Sequence, residues 1–150
     1  MKRVLLIAML AVSCGSNPGD SNTDSGGVID CSTDPRVFTY QAGMTVASQS
    51  GQLKFMLEQS NPAPPAKGND TWTLKVTTTA GVAQPGLHMS VLPFMPDHGH
   101  GTSVNASITD NGDGTYTVAP LYFFMPGVWR ITFSTATPSD SAVFFFCVPG

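Results

Sequence analysis

Alternation with a period of two residues governs most of this chain. Gln52 to Gln59 reads QLKFMLEQ and Thr71 to Thr79 reads TWTLKVTTT, which sets Trp72, Leu74 and Val76 on one face. Leu87 to Phe94, Ser103 to Thr109, Thr115 to Leu121, Val128 to Ser134 and Ala142 to Val148 keep the same habit, with Val37 to Gln41 as a shorter first candidate. The runs are rich in Thr, Val and Phe, are separated by Pro, Gly and Asn clusters, and show no useful helical period. Successive side chains of a strand face opposite ways, so each run has one face to bury against a second sheet. The pattern predicts an all-β domain, an immunoglobulin-like antiparallel β-sandwich of about seven or eight strands. Asp110-Asn111-Gly112-Asp113-Gly114 has some look of a calcium loop, but its ligand spacing is wrong and no closing glutamate follows. It reads as a hairpin turn in which Asn and Gly supply positive φ angles. The proline-rich stretch from Asn61 to Asn69 is a loop within the domain, not a boundary.

The first thirty residues follow other rules. Lys2 and Arg3 precede an apolar run from Val4 to Val12. That run is too short for a spanning helix, which needs about 20 residues, but it suits the core of a secretory signal. It closes on Leu10-Ala11-Val12-Ser13-Cys14, which resembles a bacterial lipobox with Ala11 where leucine is usual. The resemblance implies a signal peptide over residues 1–13 and a lipid on Cys14. Residues 14–30 are mostly Gly, Ser, Asn and Asp, too polar to offset their own ordering entropy, and form a tether reaching on the order of 20 Å. The domain then spans residues 31–150, lipid-anchored in the cell envelope, on its periplasmic side or at the cell surface. Gly15 after Cys14, by resemblance to Gram-negative lipoproteins, favours the outer membrane.

Without Lys2 and Arg3 the chain keeps five basic residues against ten acidic ones, a net charge of −5. Nothing in that balance attracts nucleic acid or an anionic lipid surface. With Cys14 assigned to lipid, Cys31 and Cys147 remain at the two ends of the domain. In an oxidising compartment the simplest outcome is one disulfide, which stabilises by roughly 4–5 kcal/mol in the chain-entropy picture. Two free thiols serving as metal ligands are the competing reading.

Chemistry concentrates in Met95-Pro96-Asp97-His98-Gly99-His100-Gly101, which holds two of the three histidines. Two histidines flanking a glycine can point the same way from an extended backbone. If the strand ending near Phe94 runs up, the next runs down to the Asp110–Gly114 turn, and Thr115 to Leu121 runs up again. The segment Phe123 to Gly127 then sits at the same end, which carries Met125 toward His98 and His100. His88 falls at the opposite end.

Four motifs now look familiar in order and spacing. Asn69-Asp70-Thr71-Trp72, the Met95–Gly101 cluster, Asp113 to Val118, and Phe124-Met125-Pro126-Gly127-Val128-Trp129 resemble the YtkA-like family of exported domains, relatives of the FixH type. The resemblance spans roughly residues 51–148. It implies an immunoglobulin-like sandwich outside the cytoplasm. The family's associations also suggest copper handling or assembly of respiratory oxidases, hence a metal-handling or oxidase-assembly protein as partner.

Ligand type favours the same metal. Imidazole suits copper, zinc and nickel, and thioether favours Cu(I), so Met95, His98, His100 and Met125 form a candidate copper site with Trp129 shaping its wall. A zinc site would recruit Asp97 as a third ligand. The alternative stays open: both methionines as core plugs and both histidines as hydrogen-bonding props for a glycine-rich loop, in a structural or protein-interaction module of the envelope. A blue-copper centre is excluded, since it needs a cysteine with a histidine close behind and only Val148, Pro149 and Gly150 follow Cys147. No acid–base pair or nucleophile with its base stands out, so the chain is not expected to be an enzyme. Trp72 and Trp129 read as core anchors.

Overall fold

A computed structural model describes residues 30–150. The signal-like segment, Cys14 and the tether, apart from Asp30, lie outside the described residues. Nine strands, and no helix among the described residues, run in the order β1 (Met44–Ala47), β2 (Leu53–Asn61), β3 (Gly68–Thr78), β4 (Met89–Met95), β5 (His100–Gly101), β6 (Ser107–Asp110), β7 (Thr115–Phe123), β8 (Gly127–Thr135) and β9 (Asp140–Val148). They form a five-stranded sheet, β1-β2-β3-β7-β6, and a four-stranded sheet, β5-β4-β8-β9. Every pairing is antiparallel. The expected β-sandwich is the fold.

The alternation explains the core. Phe55 and Leu57 of β2, Trp72, Leu74 and Val76 of β3, and Tyr116, Val118 and Leu121 of β7 turn inward from the first sheet. Trp129, Ile131 and Phe133 of β8 and Phe144 and Phe146 of β9 answer from the second. Trp72 is the hub: Phe144 and Phe146 meet it edge-on at 6.0 and 5.5 Å, and Phe123 and Phe133 lie at 6.4 and 6.2 Å. Such aromatic pairs prefer tilted and edge-to-face arrangements, which add to plain burial. Both tryptophans are core anchors, as their strand positions imply. Asp110–Gly114 is the β6–β7 hairpin turn, with Gly112 and Gly114 at φ 87° and 84°; Asn111, expected to share the positive φ, does not, and the glycines supply it alone.

Two strand expectations need correction. Val37 to Gln41 is not a strand. It lies along β9 instead, where the Phe38 amide donates to the Phe145 carbonyl at 2.9 Å. The run expected from Ser103 to Thr109 is also shortened: after the brief β5 pairing that precedes it, the chain crosses from that sheet over residues 102–106 and joins the other only at Ser107. Val104 and Ala106 alternate with polar neighbours on the crossing between sheets. A residue pattern of period two does not tell such a crossing from a paired strand.

The segment before β1 solves the problem posed by β9. Val143-Phe144-Phe145-Phe146 would be a sticky edge if left open. The Cys31–Cys147 disulfide and the Phe38 backbone bond bring residues 31–40 across it, and the Phe38 ring meets Phe145 and Phe146 edge-on.

Candidate functional site

The tip of the four-stranded sheet is built from β4, the turn Pro96–Gly99 and β5. Gly99 takes a left-handed φ of 70°, and the amides of His98 and Gly99 both donate to the Met95 carbonyl at 3.2 and 2.9 Å. β5 then returns so close to β4 that a Cβ on Gly101 would stand 2.6 Å from the Pro93 carbonyl oxygen. Glycine there is a condition for the approach. This folding leaves both imidazoles exposed, with ring centroids 5.7 Å apart.

The neighbouring wall comes from the β7–β8 turn, Phe124 to Pro126. Its place at this end follows from β8 pairing antiparallel to β4, Phe94 opposite Arg130. The His100 ring stacks on Phe124 at 5.5 Å and 28°, and Phe124 meets the edge of Trp129 at 5.7 Å. Trp129, fully buried, donates its indole N–H to the Met125 carbonyl at 3.0 Å. A core side chain thereby fixes the turn that carries Met125, which is half-buried against the core.

The two thioethers are placed differently. Met95 is fully buried, and its methyl lies where a Cβ on Gly127 would come within 2.7 Å. That methionine fills the end of the core, as the plug reading describes. Met125 belongs to the same end as the imidazoles and is only partly covered.

Asp97 is committed elsewhere. Arg36 donates Nη1 and Nη2 to its two oxygens at 2.8 and 2.7 Å, and holds Asp34 through Nε and Nη2 at 2.9 and 2.7 Å. Hydrogen bonding to Arg36 lowers both carboxyls, that of Asp34 to about 2. Asp97 and His98 share a hollow of about 340 Å³ with Asp30, Asp34 and Pro126. Among the described residues no three His, Cys, Asp or Glu side chains are grouped to hold a metal ion. Asp97, His98 and His100 therefore do not form a three-donor group. Cys31 and Cys147 are bonded to each other, and His88 starts at the far end, where its carbonyl accepts from Ala136.

Sequence reasoning missed Arg36 and Phe124. Phe124 could have been found, since it adjoins Met125 in the turn placed beside the histidines. Arg36 pairs with a residue 61 positions away, and no local pattern announces that.

Residues 47–134 match the YtkA-like family. The chain belongs to the YtkA-like family. The match takes in the histidine loop, the β7–β8 turn and Trp129, and leaves outside it Arg36 and both disulfide cysteines. YtkA-like domains are extracytoplasmic, envelope-associated modules, and no helix among the described residues is long and apolar enough to cross a membrane. No curated protein and no solved structure gives a significant match to the chain.

Proposed function

We propose that this YtkA-like domain is a lipid-anchored carrier of copper, holding Cu(I) as cargo at the sandwich tip through His98, His100 and Met125. One observation supports the reading: two exposed imidazoles lie with ring centroids 5.7 Å apart, with no hydrogen bond from either ring among the described residues. Had the rings served as props for the loop, they would be bonded into it. The loop is held instead by main-chain bonds to Met95 and by the Arg36–Asp97 pair. The ring nitrogens, unbonded within the loop, are open to a ligand, while the His100 ring keeps its stack on Phe124. Met95, spent on the core, backs the site without joining it. The carrier has no catalytic chemistry of its own and passes the ion to a metal-handling or oxidase-assembly partner at the envelope.

The test is a titration of the detergent-purified full chain with Cu(I) against a competing chelator. Changing His98 and His100 together to alanine is expected to weaken binding by at least about tenfold, the scale on which even the outer partners of a metal matter. Equal affinity in wild type and double variant overturns the reading and leaves an envelope interaction module.

A further inference from the structure

An antiparallel sheet that packs one face on a core and wets the other alternates apolar with polar residues. The five-stranded sheet keeps that rule through most of its outer face, with Lys54, Thr73, Lys75 and Thr117 at outward positions. The four-stranded sheet breaks it. Phe94, Arg130 and Phe145 form one outward row across β4, β8 and β9, and Leu92, Thr132 and Val143 form the next. Leu92 is 57% exposed. The row after that, Ser90, Ser134 and Ser141, is polar again. The segment from Cys31 to Tyr40 meets these rows at Phe145, through Phe38. An exposed apolar patch rimmed by polar residues marks a site of protein association.

The patch carries one charge. β4 and β8 hold no acidic residue, and Asp140 of β9 is at the far end, bound to Ser50. Arg130 makes no ion pair among the described residues. Its guanidinium lies over the Phe94 ring, 5.0 Å from the centroid, and its Nε is buried with no hydrogen-bond partner. An aromatic ring attracts the cation without using up its N–H donors, and the group that fits those donors is a carboxylate. We propose that this face docks a partner protein of the envelope, through a segment that sets an Asp or Glu carboxylate on Arg130 and apolar side chains on Leu92, Phe94 and Val143. Two other occupants fit less well. A second copy docked face to face about this patch brings two Arg130 cations together. An anionic lipid surface meets a chain with ten acidic residues against five basic ones outside Lys2 and Arg3. The surface begins beside the histidine tip, since Phe94 pairs with Gly101 of β5, but it does not rest on the carrier reading.

Photo-crosslinking of the full chain, in the cells that make it, tests the proposal. The probe p-benzoylphenylalanine replaces Leu92 in one variant and, as control, Thr73 on the outer face of the other sheet. The Leu92 probe is expected to form a discrete protein adduct that the Thr73 probe does not. The crosslinked partner peptide, read by mass spectrometry, should contain Asp or Glu. Adding Arg130→Gln is expected to cut the adduct by about tenfold or more, the scale of an interface arginine that anchors binding, and Arg130→Lys should fall between. Reversing both charges, Arg130→Glu here and Lys for that acid in the partner, should restore it. Leu92→Asp, at an exposed position, should remove the adduct formed from a Thr132 probe, which decides the matter even if the Arg130 variants fold poorly. No adduct, an equal adduct from Thr73, a crosslink to a second copy or to lipid alone, or an adduct indifferent to Arg130→Gln overturns the proposal. Copper enters none of these readouts. Absence of Cu(I) binding with the adduct intact sinks the carrier alone, and Cu(I) binding without the adduct sinks the docking face alone.

Discussion

Asp70 is a carboxyl buried at the edge of the core. It sits near the start of β3 with 1% of its surface exposed. One oxygen accepts from the Ala66 amide at 3.3 Å, while the other has no partner. Burial pushes its carboxyl up to about 7, against the Ala66 bond, which favours the charged form. A carboxyl raised in the folded state binds its proton more tightly there than in the unfolded chain. Its stabilising contribution is therefore complete below about pH 4, falls as pH rises, and is gone above about 7. Asp70→Asn keeps the shape without the charge. Its unfolding free energy should gain on that of wild type between pH 4 and 7, by up to about 4 kcal/mol at ~1.4 kcal/mol per pKa unit. Denaturant curves at several pH values check this, and parallel wild-type and variant profiles would contradict it. Asp70 stands inside one of the motifs that carry the family resemblance, and it shares the inward parity of Trp72, Leu74 and Val76, so alternation carried a signal of its burial.

At the scale of elements, alternation made most of the fold legible. It marked the inner faces of β2, β3, β7, β8 and β9, and placed Trp72 and Trp129 in the core. It also brought the β7–β8 turn to the histidine tip, because hairpin-like reversals fix which end each turn occupies. The same rule could have assigned Met95. It shares a strand face with Val91 and Pro93, and so turns inward with Pro93 although its sequence neighbours suggest a ligand cluster. What alternation could not supply was the shortness of β5. That depends on the close approach at Gly101, a three-dimensional fact. Nor could it show that residues 37–41 would cover β9 and not pair as a strand. Both arrangements satisfy an apolar residue at Phe38.

For the molecule as a whole, the segment from Cys31 to Tyr40 does two jobs at once. It closes the β9 edge through Phe38 and the disulfide, and it carries Arg36 to the tip. The disulfide joins residues 116 apart in sequence, so it removes much of the freedom of the unfolded chain. Replacing Cys31 and Cys147 together by serine is expected to lower the unfolding free energy by about 2–5 kcal/mol, read from denaturant midpoints. An unchanged midpoint would mean that Phe38 packing alone secures the strap. The carrier reading asks more of the molecule: two rings with no structural bonds must meet a metal. X-ray absorption at the copper edge, recorded on the full chain loaded with Cu(I), tests this most directly. The spectrum should show the outer-atom scattering of two imidazole rings and one sulfur neighbour bound to the metal. Copper that stays bound with no imidazole signature, or a chain that retains no copper at all, would contradict the account.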